Sequence, residues 1–301
     1  MPFPESLKSA LKPVLVPVWN AAHRYGWLAY DYVQALASGR FGRCVVCGRP
    51  GLFIYRRRVV TPRLAELWGL SPRLADAVAR KESLECTSCG AKLRGRRIAQ
   101  VLMALYPSAG APARSLAEWV LRDEIRALRV AEINVIDGVH SSLRTLPFYS
   151  GSDFADPSGP ALDEASARSE DLTRLSYADN SFDLIVTSES LEHVPDLNAA
   201  LRQILRVLAP GGRHVFTVPV LPKTRATFSR SVVLPDGKIE DRSPRICHPG
   251  GDWGYPVFTE FGTDLPSLLS HAGFETEVHF GPVSEDDLAQ VYICRKPSEK
   301  S

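Results

Sequence analysis

EDLTRLSYADNSFDLIVTSESLEHVPDLNAALRQILRVLAPGGRHVFTVPV, residues 170–220, holds the patterns that decide the fold. Phe182–Thr187 (FDLIVT) is a short β-branched apolar run between polar residues, which is how a buried strand reads. SESLEHVPD follows as a polar loop. Asp196 stands where a helix N-cap belongs, and Leu197, Leu201, Ile204, Leu205 and Leu208 then recur at helical spacing. Pro210-Gly211-Gly212 carries the turn chemistry that stops a helix, and Arg213–Val220 is a second buried strand. Strand, helix and strand in that order form a crossover unit, so the two strands run parallel.

Further elements extend this unit in both directions. Arg129–Val135 (RVAEINV) and Tyr149–Phe154 (YSGSDF) are predicted strands upstream, preceded by a helix over 115–127. Downstream, Thr263–Ala272 is a predicted helix ending at Gly273. Glu275–Phe280 and Ala289–Cys294 lie too close in sequence for a crossover and are read as an antiparallel pair. The expected class is α/β, a doubly wound Rossmann-like sheet over residues 114–297.

The phrase FDLIVTSESLEHVPD…LRVLAPGGRHVFTVP resembles class I S-adenosylmethionine-dependent methyltransferases with a type-11-like domain. The resemblance implies a seven-stranded methyltransferase sheet whose last strand inserts antiparallel. It also implies S-adenosylmethionine as cofactor and methyl transfer as the reaction. The family has an acidic residue and a Gly-x-Gly-x-Gly loop after its first strand. Here the corresponding residues are Glu132-Ile-Asn134-Val-Ile136-Asp137-Gly138, and only the last glycine is kept. Asn tolerates left-handed backbone, whereas a β-branched Ile adopts it at a cost. Three outcomes are open: the loop departs from the generic path near Ile136, the cofactor sits differently, or it no longer binds. On the resemblance, Glu132, Asn134 and Gly138 are cofactor-side residues, and Asp171 takes the position that hydrogen-bonds the adenine amino group.

Position in the sheet adds further candidates. Asp153, near the end of a strand, is placed either to accept ribose hydroxyls or to cap a turn before Pro157. Ser188 and Glu189 lie at the carboxyl end of FDLIVTS, the edge where open α/β sheets bind ligands. His193 has the proton affinity for a general base toward a hydroxyl acceptor, but the shared phrase LEHVP favours bracing its loop or packing beside the cofactor's methionine moiety. The long excursion 221–261 is expected to cover the substrate side. His248 is its catalytic candidate, with Asp252 and Tyr255 beside it.

Upstream, residues 40–106 carry Cys44-Val-Val-Cys47-Gly48 and Cys86-Thr-Ser-Cys89-Gly90. Two thiolates reach one ion from a tight turn, and the glycine relieves that turn. Cys44, Cys47, Cys86 and Cys89 therefore make a small four-cysteine zinc-knuckle domain, a closed site in which the metal is structural. Residues 1–39 are read as an N-terminal helical segment, and Tyr106–Ala113 (YPSAGAPA) as the domain boundary.

Net charge is +2 but unevenly placed: residues 1–113 hold 17 Lys and Arg against 6 Asp and Glu, and the remainder 19 against 28. A +11 half and a −9 half have two explanations. The two halves attract each other, or the basic half, with Arg56-Arg57-Arg58 and Arg94, Arg96 and Arg97, grips an anionic partner such as RNA. Ribosomal-RNA guanine methyltransferases also join a zinc site to this fold. The segment RVAEINVIDGVHSSLRTLPFYSGSDF is similar instead to bacterial methyltransferase-like proteins with an N-terminal cysteine-rich region, which resemble enzymes of glycan or secondary-metabolite gene clusters. The expected acceptor is thus a small molecule or glycan, with RNA or a non-catalytic binding role as alternatives. No run reaches the roughly 18 apolar residues that span a bilayer, and no signal-peptide order is present, so the expected location is cytoplasmic.

Overall fold

The computed structural model describes residues 25–55, 59–60, 62–107, 110–153, 169–234, 236–248 and 255–298. The helical expectation before residue 25, the Arg56-Arg57-Arg58 run and Asp252 lie outside the described residues. Among the described residues, no helix is long and apolar enough to cross a membrane.

The first element among the described residues is helix α1 (residues 25–37). Strands β1 (Phe41–Arg43) and β2 (Pro50–Tyr55) follow. Helices α2 (Pro62–Leu67) and α3 (Pro72–Ser83) precede β3 (Leu84–Cys86), and β1–β2–β3 is an antiparallel sheet. The Ser71 hydroxyl accepts from the Leu74 N–H, so Ser71 caps α3 and Pro72 fills its first turn. Asp31 ties α1 to this sheet. Its carboxylate accepts the Tyr55 N–H at 2.6 Å and pairs with Arg40 at 3.0 Å.

Helix α4 (Leu93–Leu105) starts just after the second knuckle. Next come α5 (Leu116–Trp119) and α6 (Asp123–Arg126), where the sequence pattern predicts one helix over 115–127. Then follow β4 (Val130–Ile133), α7 (His140–Leu143), β5 (Tyr149–Ser152), β6 (Phe182–Ser188), α8 (Leu197–Val207) and β7 (Leu208–Thr217). The excursion contributes β8 (Phe228–Ser229), β9 (Ser231–Val233), β10 (Ile239–Asp241), β11 (Cys247–His248), β12 (Tyr255–Pro256) and β13 (Thr259–Glu260). Helix α9 (Leu265–His271) and strands β14 (Glu275–His279) and β15 (Val291–Arg295) complete the order.

The main sheet runs β14-β15-β7-β6-β4-β5. Strands β5, β4, β6 and β7 are parallel, and β15 inserts antiparallel between β14 and β7. The parallel crossover and the antiparallel last strand agree with expectation. The strand count does not: among the described residues the sheet has six strands rather than seven. Where another strand would flank β5, Asp153 makes one parallel bridge to Ser169. Strand β4 is also shorter than predicted, because Asn134 turns into the left-handed region at φ 59°. The Pro-Gly-Gly turn is absorbed into β7 as a bulge, the register jumping from Phe182↔Leu208 to Leu184↔Arg213.

Two apolar layers cover the sheet. Helix α8 buries Ala200, Leu201, Ile204 and Val207 on one face beside α9, with Asp196 capping its Ala199 N–H. On the other face a single core joins Val130, Leu184, Val186, Val215 and Ile293 of the sheet to Ile98, Val101 and Leu102 of α4. It also takes in Cys44, Val46, Cys86 and Ala91. The knuckles thus share their core with the sheet. Charges cross the same junction. Arg97 makes a two-point pair with Asp287 at 2.6 and 2.8 Å, and Lys92 meets Asp137 at 2.6 Å. The uneven charge of the two halves is in part this mutual attraction.

Candidate active site and metal centre

The four predicted cysteines converge. Their sulfurs all lie within 4.8 Å of one another, and Cys44 Sγ stands 3.8 Å from Cys89 Sγ. A tetrahedron with Zn–S bonds of about 2.3 Å has edges of about 3.8 Å, so the spacing suits one ion. Each knuckle turns as its glycine requires. Gly48 (φ 71°) donates to the Cys44 carbonyl at 2.8 Å, and Gly90 (φ 72°) to the Cys86 carbonyl at 2.9 Å. The hydrogen bond between the Cys44 and Cys89 sulfurs draws the Cys44 thiol down, against the opposing effect of burial, and pushes the Cys89 thiol up.

The turn after β4 is held from beneath. Glu132, fully buried, accepts the Ile136 N–H at 2.9 Å with one oxygen. Its other oxygen takes the Tyr149 hydroxyl at 2.5 Å and lies 3.0 Å from His140 Nδ1. The Glu132 hydrogen bond raises the His140 pKa despite partial burial, and burial with the adjacent carboxylate raises that of Tyr149. Asp153 accepts the Val135 N–H at 3.0 Å. Glu132, Asn134, Gly138 and Asp153 are therefore gathered around one turn. Glu132 serves as its anchor, and sequence reasoning missed the Tyr149 and His140 partners.

The missing glycines have a physical reason. Asn134 (φ 59°) and Gly138 (φ 73°) are left-handed, whereas Ile136 is not and is buried. Ile136 and Val139 pack into the core shared with α4. A β-carbon on Gly95 of α4 would sit 3.2 Å from Val139 and 3.5 Å from Ile136. A β-carbon on Gly138 would meet the backbone nitrogen of Ala91, just past the second knuckle, at 2.8 Å. The apolar residue thus faces the cysteine module, and the turn keeps its left-handed corners.

At the carboxyl edge of β6, the Ser188 hydroxyl bonds Thr217 Oγ1 of β7 at 2.8 Å. Glu189 is left-handed (φ 52°), and its Oε2 accepts from Lys81 Nζ at 2.8 Å. Lys81 comes from α3 of the cysteine module and also donates to the Val218 carbonyl at 3.2 Å. This buried lysine was not foreseen, since nothing in a helix pattern marks one lysine as inward. Arg94 pairs with Glu82, while Arg96 lies over Phe53 with its Cζ 4.1 Å from the ring centroid. Together with Arg97 on Asp287, these arginines are engaged within the protein and do not form a phosphate-gripping face.

His193 reaches the excursion. Its Nδ1 donates to the Pro256 carbonyl at 2.9 Å, and its ring lies 5.9 Å from that of Tyr255. The Phe258 N–H donates to the Glu192 carbonyl at 2.8 Å, a second tie between loop and excursion. The backbone of His248 pairs with Tyr255, which brings β11 near the same loop. Asp171 lies in a turn where one of its oxygens accepts the Thr173 N–H and hydroxyl at 2.8 and 2.7 Å, and the preceding Glu170 N–H donates to the Asp153 carbonyl at 3.2 Å.

Residues 149–216 match a methyltransferase domain family, from β5 to β7. The match begins beyond the atypical turn. The demethylmenaquinone methyltransferase of Halalkalibacterium halodurans is 28% identical over 135 residues, 40% of this chain and 55% of that protein. Methyltransferase GfsG of Streptomyces halstedii is 47% identical over 71 residues, 24% of this chain and 26% of that protein. The chain thus spans about half or less of the length of these relatives. Among solved structures, an S-adenosylmethionine-dependent methyltransferase from Mesorhizobium loti is 19% identical with a TM-score of 0.40, over 65% of this chain and 96% of that one. Residues 149–216, from β5 to β7, thus match a methyltransferase domain family, and in this chain they follow an N-terminal four-cysteine cluster.

Proposed function

We propose that residues 114–297 form a methyltransferase domain that moves a methyl group from S-adenosylmethionine to a small-molecule acceptor, and that residues 40–106 form a structural zinc module. The observation that carries this reading is the turn after β4. It keeps left-handed corners at Asn134 and Gly138, is anchored by Glu132, and opens beside the carboxyl edge of β6. That crevice is where open α/β sheets hold nucleotides. The family match and the small-molecule acceptor named for the menaquinone relatives point the same way.

The residues present fit the cofactor. Asn134 and Gly138 shape the backbone cradle. Asp153 uses one oxygen on Val135 and offers the other to ribose hydroxyls. Asp171 is assigned to the adenine side, and Ser188 and Glu189 to the edge between. The cofactor supplies an activated methyl on a sulfonium, a strong leaving group. The protein's task is therefore to align the acceptor and exclude water. We assign His193 to fastening the excursion over the site through Pro256. With Nδ1 donating there, Nε2, which lies 3.6 Å from Glu192 Oε1, is the atom that would accept a proton from a hydroxyl acceptor. His248 lies on the neighbouring strand pair as the second candidate. Cys44, Cys47, Cys86 and Cys89 would hold the zinc, which contributes folding energy and no chemistry.

Calorimetry with S-adenosylhomocysteine tests the reading. Wild-type protein is expected to bind and Asp153→Ala to lose about tenfold or more in affinity, one charged hydrogen-bond acceptor's worth. Equal affinity in the two proteins would remove Asp153 from the site.

A further inference from the structure

Two buried polar atoms at the junction of module and sheet have no hydrogen-bond partner: Arg94 Nε and Glu189 Oε1. They are a donor and an acceptor of opposite charge that do not bond each other. Arg94 sits in the first turn of α4, next to Gly95, which packs on Ile136 and Val139 of the cofactor-side turn. Burial opposes its charge. The carboxylates of Glu82, Glu189, Asp137 and Glu192 outweigh that effect and hold the guanidinium more firmly protonated than usual. One cation therefore senses the turn after β4, the end of β6 and the loop beyond it. Glu189 is fixed in place by Lys81 on its other oxygen and by its own N–H, which donates to the Thr217 carbonyl at 2.9 Å. It is also held left-handed at φ 52°, a conformation that costs a Glu free energy and is characteristic of functional positions.

A buried donor and a buried acceptor left open both cost stability until something fills them. A ligand that satisfies both carries an anion for Arg94 and a cationic donor for Glu189. An α-amino acid zwitterion has that arrangement. We propose that Arg94 and Glu189 bind the amino-acid end of the cofactor, Arg94 taking its carboxylate and Glu189 its ammonium. This rests on the cofactor reading above. It adds that the cysteine module supplies part of the cofactor site, through a residue five positions after Cys89, and is not only a neighbour of it.

The test compares two ligands that share adenosine and sulfur but differ in the amino-acid end: S-adenosylhomocysteine and methylthioadenosine. Calorimetry on the full-length, metal-loaded protein is expected to show S-adenosylhomocysteine bound much more tightly. Arg94→Met should lower its affinity about 10- to 100-fold and leave that of methylthioadenosine within about twofold. An unchanged S-adenosylhomocysteine affinity in Arg94→Met overturns the proposal, as does equal binding of the two ligands by wild type. Binding of neither ligand by wild type removes the cofactor reading itself. Should Arg94→Met lose both ligands, its buried pairing with Glu82 has disturbed the fold, and Glu189→Gln decides. Selective loss of S-adenosylhomocysteine there supports the proposal, and any other pattern overturns it.

Discussion

Gly138 and Ala91 touch across the junction between the cysteine module and the sheet. A β-carbon on Gly138 would lie 2.7 Å from that of Ala91 and 2.8 Å from its backbone nitrogen. The last glycine of the turn after β4 is therefore needed twice, for its left-handed φ of 73° and for the module's close approach.

Gly138→Ala should incur both costs. Left-handed backbone costs an alanine about 1–2 kcal/mol, and the clash is with main chain, which cannot swing aside, for roughly 1–3 kcal/mol more. Urea unfolding is expected to show a loss of about 2–5 kcal/mol. A loss under about 0.5 kcal/mol would mean that module and turn separate easily in solution.

Ile136→Gly restores the glycine that related loops have, and separates two accounts of this turn. If Ile136 is a core residue of the junction, as its burial beside Gly95 indicates, the variant opens a cavity and loses about 2–5 kcal/mol, with no gain in affinity for S-adenosylhomocysteine. If the isoleucine instead obstructs the cofactor, the variant binds S-adenosylhomocysteine more tightly.

With an ion on the four cysteines, as proposed, removing it should reach the turn after β4. Ala91 and Lys92 follow the second knuckle directly, and they contact Gly138 and Asp137. The knuckle cysteines share their core with the sheet strands. Chelation, or Cys89→Ser, is expected to lower the melting temperature by roughly 10 °C or more. It should weaken S-adenosylhomocysteine binding in parallel. Chelated protein that keeps its affinity within about twofold would show the turn to be self-supporting.

Much of this was legible in the sequence because it depends on local chemistry. The β-branched run at Phe182, the cap at Asp196 and the glycine after each CxxC each determine their own surroundings, so pattern reading found β6, α8 and both knuckles. What was not legible depends on distant partners. Glu132 marks the right turn, yet the hydrogen bonds that employ it come from Tyr149 and His140, positions that no spacing rule connects. Lys81 reads as one more basic residue on an amphipathic helix, and only the docking of α3 on the ends of β6 and β7 makes it a buried partner of Glu189. Ile136 looked like damage to a glycine loop because the surface that buries it lies some 40 residues upstream, in α4.

Two histidines should tilt the pH profile of stability in opposite directions, and variants separate them. His140 has its pKa raised in the folded state by Glu132, with Asp153 assisting and Arg144 opposing. Its contribution is complete below the unfolded value of about 6.5 and is lost as pH rises through the higher folded value. His140→Gln should thus cost most at about pH 5.5–6 and progressively less toward about pH 8.5. His214 is fully buried in β7, stacked on Phe216 with its Nε2 2.9 Å from Thr187 Oγ1, and burial pushes its pKa down to about 3. Its folded pKa lies below the unfolded one, so the unfolded chain takes up the proton first. Stability is full above about pH 6.5 and declines as pH falls, by on the order of 3 kcal/mol near pH 4. His214→Asn, whatever its offset at neutral pH, should therefore gain on wild type as the solution is acidified, while His140→Gln falls further behind. Melting curves at half-unit steps from about pH 5 to 8.5 give both slopes. A His214→Asn profile parallel to wild type would show that the imidazole can be protonated inside the sheet, and that β6 and β7 are hydrated where the structure closes them.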